Sequence, residues 1–122
     1  MKTILLIEDN NEILENLTEF LEIEGYRVLG ASNGKQGIEL AMKFIPNLII
    51  CDVLMPGMDG YEVLHALLKT SATHQIPFIF STSMSERVER IEALSLGADD
   101  YIIKPFDMEV LLKMIKKWIK TG

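Results

Sequence analysis

Five residues of this 122-residue chain could do chemistry together: Glu8, Asp9, Asp52, Thr82 and Lys104. Each stands at or just beyond the end of a short apolar run. Three carboxylates in one pocket repel one another, and one of them is driven to protonate unless a cation sits among them. Carboxylates, a backbone carbonyl and water suit Mg²⁺, a hard ion that keeps several of its waters. A carboxylate can also attack a phosphoryl group and form an acyl phosphate. The group in transfer spreads negative charge over its oxygens, so it needs positive charge and hydrogen-bond donors around it. Mg²⁺, the Lys104 ammonium and the Thr82 hydroxyl would supply both. Taken singly, each residue has a plainer role: a strand-end Asp caps a turn, a Thr sits in one, and a Lys before Pro faces solvent. Chemistry follows only if the fold gathers all five on one edge.

The elements that must do so can be read in order. Thr3 to Ile7 is a β-branched apolar run, hence a buried strand, ending in Glu8-Asp9-Asn10. Asn10 or Asn11 caps a helix with apolar residues at Ile13, Leu14, Leu17, Phe20 and Leu21, stopping before Gly25. Tyr26 to Ala31 is a second strand, partly polar and so nearer an edge. Asn33-Gly34 turns the chain into a helix from Gly37 to Ile45, ended by Pro46. Leu48 to Cys51 is a strand too short and too Ile-rich for a helix, and it stops at Asp52. Pro56, Gly57, Asp59 and Gly60 make a loop, and Tyr61, Leu64, Leu67 and Leu68 mark the next helix. After a polar loop from Thr70 to Gln75, Ile76 to Phe80 is a fourth strand ending in Ser81-Thr82-Ser83. Ser85 to Leu96 is a helix, Tyr101 to Ile103 a fifth strand ending at Lys104-Pro105, and Asp107 caps a last helix running to Lys120.

Five strands alternating with five helices predict a doubly wound parallel sheet with helices on both faces, a three-layer α/β sandwich. The strand order does not follow from the pattern; the flavodoxin-like order 2-1-3-4-5 is one such sheets adopt. All carboxyl ends of a parallel sheet lie on one edge, where open α/β folds bind ligands. That edge collects Glu8, Asp9, Asp52, Thr82 and Lys104.

Composition narrows the function. With 48% hydrophobic and 25% charged residues, the chain is globular, and residues 1–122 are expected to form one domain. The net charge of −6 disfavours sequence-independent binding to nucleic acid or anionic lipid. A single cysteine, Cys51, falls in a buried strand as a small core residue. No apolar run reaches membrane-spanning length and no signal-peptide pattern opens the chain, so a cytoplasmic location is expected. His65 and His74 have no ligand partner at helical or hairpin spacing.

With these motifs in view, the sequence resembles the receiver domain of bacterial two-component response regulators over essentially its whole length. The matching residues are Glu8-Asp9, Asp52 with Met55-Pro56-Gly57-Met58-Asp59-Gly60, Ser81-Thr82, Gly97-Ala98-Asp99-Asp100-Tyr101 and Lys104-Pro105-Phe106. The resemblance implies that Asp52 accepts a phosphoryl group from a sensor histidine kinase or a histidine phosphotransfer protein. It implies that Asp9, Asp52 and the Leu54 backbone carbonyl ligate Mg²⁺, with Glu8 acting through water. It gives Lys104 and Thr82 to the phosphoryl oxygens, makes Tyr101 an aromatic switch that follows Thr82, and makes the Lys104–Pro105 peptide cis. Output would pass through the face formed by the fourth helix, fifth strand and fifth helix. By that resemblance the protein is a phosphoacceptor that assists its own phosphotransfer and dephosphorylation, rather than an enzyme.

Rival readings differ at named positions. A flavodoxin-like cofactor binder would place donors, not Glu8-Asp9, after the first strand. A haloacid-dehalogenase-type phosphatase needs a second Asp two residues beyond Asp52, where Leu54 stands. A receiver excised from a hybrid kinase or a larger transcriptional regulator remains the open alternative. Two departures carry expectations. Leu54 and Met84, which flank the water path in receivers, are apolar, so the phosphoryl group should be long-lived. Arg90 is present where winged-helix regulators use it to pair subunits, but Val110 and Met114 replace the charged residues of the fifth helix. Val110 and Met114 either widen the buried stripe or form a small apolar contact. A monomer or weak dimer is expected.

Overall fold

Runs of Ile, Leu and Phe alternating with amphipathic stretches build ten elements among the described residues. The computed structural model describes residues 1–83 and 87–119; the side chains of residues 87–90 lie outside that set. The strands are β1 (Thr3–Ile7), β2 (Arg27–Ala31), β3 (Leu48–Asp52), β4 (Phe78–Thr82) and β5 (Asp100–Ile103). The helices are α1 (Asn11–Ile23), α2 (Gly34–Phe44), α3 (Gly60–Leu68), α4 (Arg87–Ser95) and α5 (Met108–Trp118). All four strand pairings are parallel, in the order β2-β1-β3-β4-β5.

Strand alternation sorts the core into two layers. Leu5, Ile7, Ile49, Cys51, Phe78, Phe80 and Tyr101 face α2, α3 and α4, which contribute Ala41, Val63, Leu64, Leu67 and Ala93. Ile4, Leu6, Leu48, Ile50, Ile79 and Ile102 face α1 and α5, which contribute Leu17, Leu21, Leu111 and Ile115. The central strands β1, β3 and β4 are buried almost throughout, as strands covered on both faces must be. The N-terminus of α1 is capped by Asn10, whose side chain accepts from the N–H of Ile13 at 3.1 Å. Asp59 and Glu62 form a reciprocal capping box at α3, so the loop after β3 ends in a fixed geometry.

Several boundaries differ from the sequence reading. β4 runs from Phe78 to Thr82, not from Ile76 to Phe80. Polar Ser81 and Thr82 belong to the buried strand, paired to β3 and β5 at Asp52 and Ile103. α2 begins at Gly34, because Asn33 is its N-cap rather than part of a free turn: the Asn33 side chain accepts from Gln36 N–H at 2.8 Å. α5 ends at Trp118. The expected start of the fourth helix at Ser85, and Lys120 at the end of the fifth, lie outside the described residues, as does Met84. Cys51 is buried, and burial pushes its thiol well above the ordinary range, with the Asp52 carboxylate adding to the effect.

Candidate functional site

Register alone carries Glu8 to Asp52. Ile7 pairs with Cys51 in the β1–β3 ladder, so the next residues of the two strands meet at the carboxyl edge. Asp52 is still part of β3 and pairs with Ser81 of β4, and Thr82 pairs with Ile103 of β5. Lys104 follows one residue later. Its N–H donates to the Thr82 carbonyl at 2.7 Å, which extends the β4–β5 ladder to the mouth of the site. The N–H of Glu8 likewise donates to the Ala31 carbonyl at 2.9 Å and extends the β1–β2 ladder. Glu8, Asp52, Thr82 and Lys104 are thus mounted on backbone already tied to a neighbouring strand.

The side chains converge. One carboxylate oxygen from each of Glu8, Asp9 and Asp52 lies within 4.8 Å of the others, a spacing that can hold a cation. Glu8 and Asp52 are buried and Asp9 is exposed. The Lys104 ammonium lies 2.6 Å from Glu8 Oε1 and 3.4 Å from Asp52 Oδ2, bridging the ends of three strands. Glu8 Oε2 accepts from the Asn10 N–H at 3.1 Å, which fixes the carboxylate from its other side. Burial and the negative charge of Glu8 push Asp52 up to about 6, against the opposing pull of Lys104. One ammonium does not compensate three acids. The donor set, oxygen-only and partly open to solvent through Asp9, fits a hard divalent cation.

The remaining expected residues are placed as follows. Thr82 is 1% exposed and belongs to the buried polar set. By alternation it shares its sheet face with Tyr101, since Phe80, two residues earlier, pairs with Tyr101. Tyr101 is 3% exposed and packs in the layer under α4. Leu54 stands in the loop after β3 with its side chain 58% exposed at the rim. The Lys104–Pro105 peptide is cis.

Three features escaped the sequence reading. Gly60 approaches β3 so closely that a Cβ there would collide with the Asp52 carbonyl oxygen, and its N–H donates to the Val53 carbonyl at 2.8 Å. A bare Asp59-Gly60 dipeptide signals a turn, not this contact. Asp100 accepts from the Trp118 indole N–H at 2.8 Å, a link 18 residues apart that no local pattern encodes. An apolar groove of about 400 Å³ opens beside Lys104, lined by Ile13, Asn16, Leu17, Pro105, Phe106 and Met108 among others.

A parallel α/β sheet with an acidic, lysine-bridged pocket at its carboxyl edge defines a class of proteins whose chemistry sits at the strand ends. The response regulator receiver domain model matches residues 4–116, and the chain belongs to that family, the signalling phosphoacceptor of two-component systems. It is 36% identical over 115 residues to protein PilH of Pseudomonas aeruginosa, covering 94% of this chain and 95% of that one. It is 40% identical over 122 residues to the transcriptional regulatory protein CpxR of Escherichia coli, covering all of this chain and 51% of CpxR. The chain thus spans nearly all of one relative and about half of another. The Vibrio cholerae chemotaxis protein CheY4 superposes with a TM-score of 0.92 at 29% identity, over 98% of this chain and 99% of that one.

Proposed function

We propose that Asp52 is the phosphoacceptor, and that phosphorylation there switches the α4-β5-α5 face toward an output partner. The observation that carries this reading is the Lys104 ammonium held between Glu8 and Asp52 at the junction of three strands. Glu8 makes the shorter bond and holds the cation ready, so Lys104 can turn to an incoming phosphoryl oxygen without crossing solvent. An Asp52 carboxylate oxygen attacks phosphorus of a histidine-borne phosphoryl group; the P–N bond breaks and the donor imidazole leaves. Asp9, Asp52 and the Leu54 backbone carbonyl would hold Mg²⁺ directly, with Glu8 acting through water. When bound, the ion supplies the positive charge that lets the acids coexist and offsets charge on the transferring oxygens. The Thr82 hydroxyl donates to the phosphoryl group, and its movement is read by Tyr101 on the same sheet face.

The donor is a sensor histidine kinase or a histidine phosphotransfer protein. The apolar groove beside Lys104, whose ammonium lies 3.4 Å from Asp52 Oδ2, is the surface on which a donor protein would rest. On the output side, Ile91, Leu94, Ile103 and Val110 are exposed, an apolar set suited to a protein partner. The protein assists its own phosphotransfer and dephosphorylation and is otherwise not an enzyme. Among the described residues no helix is long and apolar enough to cross a membrane; we place the domain in the cytoplasm, acting on protein rather than nucleic acid. Residues 1–122 act as one receiver domain. That they span about half of CpxR favours a second context, a module within a longer regulator.

Incubation with a small-molecule phosphodonor and Mg²⁺ tests the reading. An acid-stable, base-labile phosphate should form, vanish with EDTA and be lost in Asp52→Asn. An undiminished phosphate on that variant refutes the assignment.

A further inference from the structure

Trp118, in the last turn of α5, is the only tryptophan of the chain. It packs against the layer of Ile102, Leu111 and Ile115, on the sheet face opposite Tyr101. Its indole N–H donates to Asp100 Oδ2 at 2.8 Å. The other oxygen of the same carboxylate accepts the backbone N–H of Tyr101 at 2.9 Å. β5 is an edge strand, so half of its backbone groups have no strand to bond to. Asp100 therefore does two things with its two oxygens. It takes the N–H of Tyr101, and it fastens the start of β5 to the end of α5. The opposite end of β5 is fastened to the site, through the Lys104 N–H on the Thr82 carbonyl at 2.7 Å.

We propose that Trp118 is a positioning residue for signalling: through Asp100 it ties the strand bearing Tyr101 to the last turn of α5. Movement at Thr82 and Lys104 then reaches α5 as a change in the surroundings of the indole. This rests on the reading of Asp52 as acceptor. A bond that is equally strong in both states transmits nothing, so the environment of Trp118 must differ between them. Coupling is reciprocal: if occupation of the site alters the Trp118 bond, removing that bond alters the affinity of the site by the same factor.

The sole tryptophan makes the test direct. The protein is titrated with beryllofluoride, a phosphoryl mimic, in the presence of Mg²⁺, and followed by tryptophan emission and by fluorine NMR of bound beryllofluoride. The wild-type emission should change in step with the bound fluorine signal. In Asp100→Asn one acceptor oxygen stands where two are used, so Tyr101 can keep its partner while Trp118 loses one. Beryllofluoride should still bind there, with the emission change largely lost. Trp118→Phe keeps the apolar body and should shift the apparent beryllofluoride affinity roughly threefold or more, the scale of one hydrogen bond. A merely structural role would lower thermal stability and leave that affinity unchanged. Bound fluorine signal with no emission change in the wild type, or an unaltered affinity in Trp118→Phe, overturns the proposal. Absence of bound fluorine signal overturns the acceptor reading itself and is recognised as such.

Discussion

At the scale of residues, the site is a problem in charge. Glu8 and Asp52 are buried beside each other with one ammonium between them, and Asp9 adds a third acid at the rim. Asp52→Asn leaves the 2.6 Å Glu8–Lys104 pair intact and removes the surplus charge. It should raise stability in metal-free buffer by about 1 kcal/mol. Mg²⁺ should stabilise the wild type by about 2.7 kcal/mol at a hundredfold excess over its dissociation constant, and the Asn variant far less. Thermal unfolding with and without Mg²⁺ checks both. These acids and Lys104 were legible from sequence because each terminates an apolar run. Gly60 was not. Its importance is a through-space approach to the Asp52 carbonyl, and a turn sequence does not report distance. Gly60→Ala must displace backbone rather than a flexible side chain. It should cost about 1–3 kcal/mol in denaturant unfolding and slow phosphorylation as Asp52 shifts.

At the scale of elements, β1 matched the sequence reading in full and β3 differed only in taking in Asp52, since unbroken β-branched and Leu runs are at home in a sheet covered on both faces. β4 slid two residues because hydrophobicity marks burial poorly at a functional strand end: Ser81 and Thr82 are polar and yet buried. α2 ends at Phe44, one residue short of the expected Ile45, with Pro46 following as the expected stop. Pro46 disfavours the helical conformation in the residue before it, and Ile45 leaves the helix in a left-handed conformation at φ 45°, where Gly is the usual choice. The expectation of a long-lived phosphoryl group belongs to the loop from β3 to α3. Leu54, 58% exposed at its rim, cannot orient a water or act as a base. Leu54→Asn should quicken decay of the phosphorylated protein severalfold, followed by loss of labelled phosphate. Met84, its counterpart after β4, lies outside the described residues, and Met84→Glu should act in the same direction. Rapid wild-type decay unchanged by either substitution would contradict this account.

At the scale of the whole molecule, the sheet brings five residues from the ends of four strands to one edge, and the α4-β5-α5 face is the proposed output surface. On that face Val110 is 50% exposed, while Met114 is partly buried against the layer of Leu111 and Ile115. The two expectations for this pair are therefore divided between them: Met114 widens the core stripe and Val110 faces outward. The Arg90 side chain lies outside the described residues, but the position of its expected carboxylate partner is Val110, which carries no charge. With beryllofluoride and Mg²⁺ the protein should sediment as a monomer or a weak dimer insensitive to Arg90→Ala. A tight dimer that dissociates in that variant would be contrary. The central claim, that Asp52 takes the phosphoryl group, is tested most directly by locating the modification. The protein is phosphorylated with a small-molecule donor, reduced with borohydride to convert aspartyl phosphate to homoserine, and sequenced by tandem mass spectrometry. Homoserine at position 52, dependent on Mg²⁺ and absent after EDTA, is the expected result; homoserine at another residue, or none under conditions where phosphate is incorporated, would contradict it.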